Sequence, residues 1–127
     1  IGVVSGGFHE VLDPLAESLG LDFWKANRLA IEDGHLTGKV LGEIVDAEVK
    51  AKTLIRWAQE TQIPLERTVA IGDGANDLKM MAVAGLSIAF NAKPIVQEKA
   101  MHCIDERDMR QVLPLIGLEI PACPSKV

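Results

Sequence analysis

The residues best suited to chemistry lie in "AIGDGANDLKM", residues 70–80. Two carboxylates, Asp73 and Asp77, stand four apart, with Gly72 and Gly74 flanking the first and an amide at Asn76. Glycines beside a carboxylate let the backbone turn sharply and leave room for a ligand. Oxygen donors in such a loop suit Mg²⁺, which takes one or two carboxylates and keeps several waters. The same residues also suit a capped turn at a helix start, so spacing alone leaves both readings open. Competing motifs fail on spacing. An EF-hand beginning at Asp73 needs ligands and a glycine where Ala75, Leu78 and Ala84 stand. A dinucleotide fingerprint from Gly72 needs glycine where Asp77 stands, and the chain has no GxxxxGK[ST] run.

Two further places could contact an anion. Ser5-Gly6-Gly7 offers a hydroxyl and successive backbone N–H groups at a strand-to-helix turn, which suits a phosphate oxygen. Lys50 and Lys52 lie at the start of a helical stretch, where a cation opposes the helix dipole and an anionic partner would explain one of them. Hydroxyl, amides, lysine and a carboxylate pair together are the parts that position a phosphoryl group and neutralise its charge. A nucleophile is missing: Ser5 has no neighbouring His base, and "SGG" is not a G-x-S-x-G elbow.

The elements that must hold these loops follow from pattern. "GVVS" (Gly2–Ser5) reads as a buried strand opening into a glycine loop. Residues 8–19 have helical spacing ended by Gly20, with Pro14 as a start or a kink. Asp33-Gly34 between alternating runs predicts a hairpin over 27–42. Helical spacing returns over 48–61, "TVAIG" is a strand, and 76–84 is a helix ended by Gly85. "LSIAF", a short helix from Lys93, the strand "HCI" and a helix over 108–116 complete the series before an irregular tail. Strand and helix in alternation imply an α/β fold with a parallel sheet, the hairpin being an insertion. Ligands then bind beyond the strands' carboxyl ends, where both "SGG" and "GDGAND" fall.

Composition bounds the rest. A 127-residue chain that is 48% hydrophobic and 24% charged suits one domain with its own core. A net charge of −5 without any Lys/Arg run argues against nucleic acid and anionic membranes. No apolar run reaches the ~18 residues of a membrane span. Cys103 and Cys123 lack CxxC spacing and read as reduced cytoplasmic thiols. The chain starts inside a strand-like run with no leader, as one whose beginning has been cut off.

In order and spacing "VVSGG", the Lys50 region and "GDGANDLKM" resemble the second, third and fourth motifs of the haloacid dehalogenase (HAD) superfamily. "ANRL", "DGHLTG", "VKAKTL", "AGLSIAFNAKP" and "EKA" extend the likeness to about residue 116, nearest to the members that hydrolyse O-phosphoserine. The resemblance implies a Rossmann-like core and cytoplasmic, Mg²⁺-dependent hydrolysis of a small phosphomonoester in serine biosynthesis, through an aspartyl-phosphate. By the same resemblance Ser5, Gly6 and Gly7 would bind the phosphoryl group. Lys50, preferred to Lys52, would neutralise it, Asp73 would ligate Mg²⁺, and Asn76 would contact the phosphate end. Asp77 would orient a metal-bound water or Lys50. His9, where related bacterial enzymes often carry threonine, reads as solvent-facing.

One departure matters. The D-x-D-x-[TV] motif that supplies the nucleophile does not occur here, and neither does the helical cap that precedes "VVSGG". In the family sheet the nucleophile's strand lies between the "GVVS" and "TVAIG" strands. Residues 1–127 are therefore expected to be a partial core domain with a gap at its centre, and inactive alone. A complementing amino-terminal segment, or a second chain in a homo-oligomer, would have to fill that gap. The rivals are a non-catalytic module derived from such a core and a phosphatase of different specificity. A P-type ATPase piece fits worse, because Leu78-Lys79-Met80 follows the loop and no DKTGT signature is present.

Overall fold

The computed structural model describes residues 1–119, so Cys123 and most of the expected irregular tail lie outside the described residues. Strand β1 (Gly2–Phe8) leads through helix α1 (His9–Leu19) to β2 (Phe23–Glu32), which pairs with it in parallel. β2 then turns through Asp33 and Gly34, at φ of 51° and 77°, into antiparallel β3 (His35–Leu41). Positive φ at both central residues is the twist-matching turn that an Asp-Gly pair specifies. Helix α2 (Ala47–Glu60) connects to β4 (Val69–Gly72), followed by α3 (Leu78–Val83), β5 (Leu86–Phe90), α4 (Pro94–Lys99), β6 (His102–Ile104) and α5 (Val112–Leu115). β4, β5 and β6 are parallel, with Val69 opposite Leu86 and Gly72 opposite Ala89.

The strands make two three-stranded sheets, β1-β2-β3 and β4-β5-β6, rather than one. Helix α2 joins them by packing. Its Trp57 stacks on Phe23 at 5.3 Å, and a Cβ on Gly2 would stand 2.6 Å from the same indole. Farther along, Ala51 and Leu54 pack on a buried cluster of Ala70, Met80, Met81, Ala84, Ala89 and Val96, which Val4 of β1 also touches. Between the strand starts lies a cavity of about 530 Å³, bordered by Gly2, Phe23, Leu54, Trp57, Thr68 and Val69. The α/β architecture is as the sequence implies.

Several boundaries differ for physical reasons. β1 does not end at Ser5 but bulges there and continues to Phe8. α1 begins at His9 and carries Pro14 within it. Its apolar spacing marks a helix but not a buried face, since only Ala16 is buried while Val11 is 75% exposed. Gly20, at φ 65°, closes α1 as expected, its N–H donating to the carbonyls of Ala16 and Glu17. The expected helix over 76–84 opens as a 3₁₀ turn, Ala75–Asp77, and that over 108–116 opens as one over Met109–Gln111. Gly85 is needed less as a cap than for contact, because a Cβ there would lie 2.1 Å from the Glu66 carbonyl oxygen. Among the described residues no helix is long and apolar enough to cross a membrane.

Candidate active site

The loop after β4 is organised by one buried carboxylate. Asp77 is 6% exposed, and its Oδ1 accepts from Lys50 Nζ at 2.8 Å. Its Oδ2 accepts from the backbone N–H groups of Asp73 and Gly74 at 3.1 and 3.3 Å. Both oxygens are thus committed within the protein. Lys50, also 6% exposed, reaches the loop from the first turn of α2, which Asp46 caps by accepting from the Val49 N–H. Burying such a pair is tolerated when each charge finds a partner and further hydrogen bonds, which here the two backbone N–H groups supply to the carboxylate. Gly72 makes the approach possible: a Cβ there would stand 2.4 Å from the Asp77 Cβ. The loop is also tied to α4, since Lys93 N–H donates to the Asp73 carbonyl at 3.1 Å.

With Asp77 buried and both its oxygens already hydrogen-bonded, Asp73 is the loop's exposed carboxylate, with Asn76 exposed beside it. Among the described residues no three His, Cys, Asp or Glu side chains converge as a metal site. One accessible carboxylate could serve Mg²⁺ as a single member of its donor set, since that ion takes one or two carboxylates and keeps several waters. Lys52, the alternative lysine, is exposed and pairs with Glu48 on its own helix at 3.4 Å. The side chain that enters the loop is therefore Lys50.

At the end of β1 the backbone leaves its ladder between the pairs Val4–Lys25 and Phe8–Asn27. The intervening Ser5, Gly6 and Gly7 form a turn in which Ser5 Oγ accepts from the Gly7 N–H at 2.9 Å. Gly7's amide is engaged internally, while the serine hydroxyl proton remains for another acceptor. The turn abuts the approach to α2, where a Cβ on Gly6 would stand 3.9 Å from the Val45 carbonyl.

A family model of haloacid dehalogenase-like hydrolases matches residues 1–82. The chain belongs to that family. Phosphoserine phosphatase of Streptomyces coelicolor is 56% identical over 93% of this chain, which spans 29% of that protein. The phosphoserine phosphatase of Methanocaldococcus jannaschii is 51% identical over 91% of the chain, which spans 55% of it. The chain thus covers between about a third and about half of these curated relatives. A phosphoserine phosphatase crystal structure in apo form superposes at a TM-score of 0.87, with 51% identity over 91% of this chain and 57% of that one. A CPx-ATPase catalytic domain, at 20% identity and a TM-score of 0.65, shares the fold alone.

Within this HAD-like hydrolase the structure brings Lys50, Asp77 and the Asp73–Gly74 backbone together, and sets Ser5–Gly7 beside the segment that leads into Lys50's helix. His9 corrects the solvent-facing expectation. Its side chain is 17% exposed, its Nδ1 bonds Asp13 at 2.7 Å, and its Nε2 accepts from the Ala26 N–H at 3.1 Å. Trp24 Nε1 donates to the same carboxylate, and together these bonds hold the Asp13 carboxyl below its usual range. Sequence reasoning also missed Asn27, a buried amide that stands between Lys25 and Arg28 in "KANRL", where nothing marks it as different from its polar neighbours.

Proposed function

We propose that this chain is the carboxy-terminal part of a phosphoserine phosphatase core, acting in the cytoplasm on O-phosphoserine in serine biosynthesis. The observation carrying this reading is the Lys50–Asp77 pair clasped to the Asp73–Gly74 backbone, in a chain about 50% identical to such enzymes. In it the Ser5 hydroxyl and the Gly6 amide hold the transferring phosphoryl group. The Lys50 ammonium, fixed by Asp77, offsets its charge, Asn76 donates to its far side, and Asp73 is a ligand for Mg²⁺. The ion supplies further charge neutralisation at the phosphoryl oxygens. The first carboxylate of a D-x-D-x-T segment attacks phosphorus and the P–O bond to serine breaks, the second Asp of that segment giving its proton to the serine oxygen. The same Asp then takes a proton from the water that attacks the aspartyl-phosphate and releases phosphate. That segment lies as a strand in the gap between β1 and β4. Residues 1–127 alone are accordingly a partial domain.

Phosphate release from O-phospho-L-serine with Mg²⁺ checks this directly. The purified chain is expected to show none, and to gain it when combined with an amino-terminal segment carrying D-x-D-x-T. Turnover by the chain alone would refute the assignment of the nucleophile. Equal turnover of sugar phosphates by the combined protein would refute the assigned substrate.

A further inference from the structure

Three residues of β1, Ser5 to Gly7, stand opposite the single Ala26 of β2. Backbone groups at such a bulge lack ladder partners and must be satisfied by other means. Side chains do so here. The Ala26 N–H donates to His9, and the Gly6 carbonyl accepts from Asn27 Nδ2 at 3.0 Å. Asn27 does more, because its Oδ1 accepts from the Val45 N–H at 2.7 Å. Val45 directly precedes Asp46, the cap of α2, from whose first turn Lys50 extends. One amide, 7% exposed, therefore holds the serine-glycine turn and the root of the lysine helix together. Its orientation is fixed chemically: the carbonyl of Gly6 needs a donor and the N–H of Val45 an acceptor.

We infer that Asn27 is a positioning residue that sets the Ser5–Gly7 turn at a fixed place relative to Lys50. The role for phosphate rests on the function proposed above. The amide spans two elements that pair through no strand ladder, so nothing else named at the bulge ties its carbonyl to α2. Neither Asn27 atom faces a phosphoryl group; both are consumed by backbone, and the residue acts through Ser5, Gly6 and Lys50.

The test uses the full chain and two variants, Asn27→Ala, which removes both bonds, and the near-isosteric Asn27→Asp, which keeps the acceptor but loses the donor. Amide hydrogen exchange reports the positioning itself. Val45, whose N–H loses its acceptor, should exchange about tenfold faster in Asn27→Ala alone. Gly7, whose N–H is held by Ser5 Oγ within the turn that Asn27 anchors through the Gly6 carbonyl, should exchange faster in both variants as that turn loosens. Amides of β5 should not change. Unaltered Gly7 exchange in a folded Asn27→Asp would overturn the inference, as would an equal acceleration everywhere. Titration with inorganic phosphate, followed by the amide shifts of Ser5–Gly7, reads the consequence. Dissociation constants should rise at least about tenfold in both variants, well below their melting temperatures. A parent chain that ignores phosphate would count against the proposed function, while the exchange data still decide the role of Asn27.

Discussion

The two halves of the site are built differently. On the β4 side a buried ion pair organises the loop, and every oxygen of Asp77 is spent on Lys50 or on backbone three or four residues away. On the β1 side the turn is exposed and holds no buried charge. Its shape depends on Asn27 and on His9, whose bonds cross to another element. A low-dielectric pair resists displacement because either charge left alone is costly. An exposed bulge pinned by neutral hydrogen bonds, each worth ~1 kcal/mol, yields more readily. The charge-bearing half is thus rigid, while the half proposed to cup phosphate is set by a few adjustable contacts.

The largest expected effect breaks the rigid half. Lys50→Met leaves Asp77 buried with no ammonium and should cost about 3–5 kcal/mol, enough to unfold a marginal domain. Lys52→Met removes only an exposed pair on one helix and should change stability by less than about 0.5 kcal/mol. Urea unfolding midpoints distinguish them. Equal shifts for the two lysines would show that the buried pair contributes nothing special.

Next in size is a comparison of glycines. Gly72→Ala forces a methyl to 2.4 Å from the Asp77 Cβ and should cost about 1–3 kcal/mol through overpacking, displacing the carboxylate as well. Gly6→Ala meets nothing nearer than 3.9 Å, an ordinary contact, and should stay within about 0.5 kcal/mol. Thermal unfolding of both variants measures the contrast. A costly Gly6→Ala would mean that the bulge is as tightly packed as the carboxylate loop.

Legibility followed the same division. The contacts Asp77 makes within its loop are local, spanning three and four residues, so "GDGAND" marked the place while leaving a capped turn and a cation site both open. Lys50 lies 27 residues away; the helix dipole drew notice to it and Lys52 alike, and only the resemblance preferred Lys50. The Asp33-Gly34 turn was legible because only its backbone conformation was at issue. Asn27 and His9 were not, since their partners lie 17 to 21 residues distant and are backbone groups, which every residue has. No side-chain pattern marks a donor that exists only because a strand bulges. The split into two sheets was legible only through the resemblance, as periodicity shows that strands exist but not which edges meet.

The smallest effect concerns acid and probes the adjustable half. Asp13 accepts from His9 and Trp24, with Arg28 3.5 Å away, and these hold its carboxyl below the ordinary value of 3.8. A carboxyl whose folded pKa is depressed contributes stability that is present above the unfolded value and is lost as pH falls through the folded one. Asp13→Asn should therefore lower the melting temperature slightly near neutral pH, and the difference from the parent should shrink below pH 3.8. Lys50→Arg, altering the buried pair instead, should leave that acid limb in place. Because the carboxylate bonds His9, and His9 holds the Ala26 N–H at the bulge, Gly7 amide exchange should rise along the same limb. A melting difference that persists unchanged at low pH would mean that the ionised carboxyl is not what stabilises, and Gly7 exchange indifferent to pH would mean that Asp13 has no hold on the bulge.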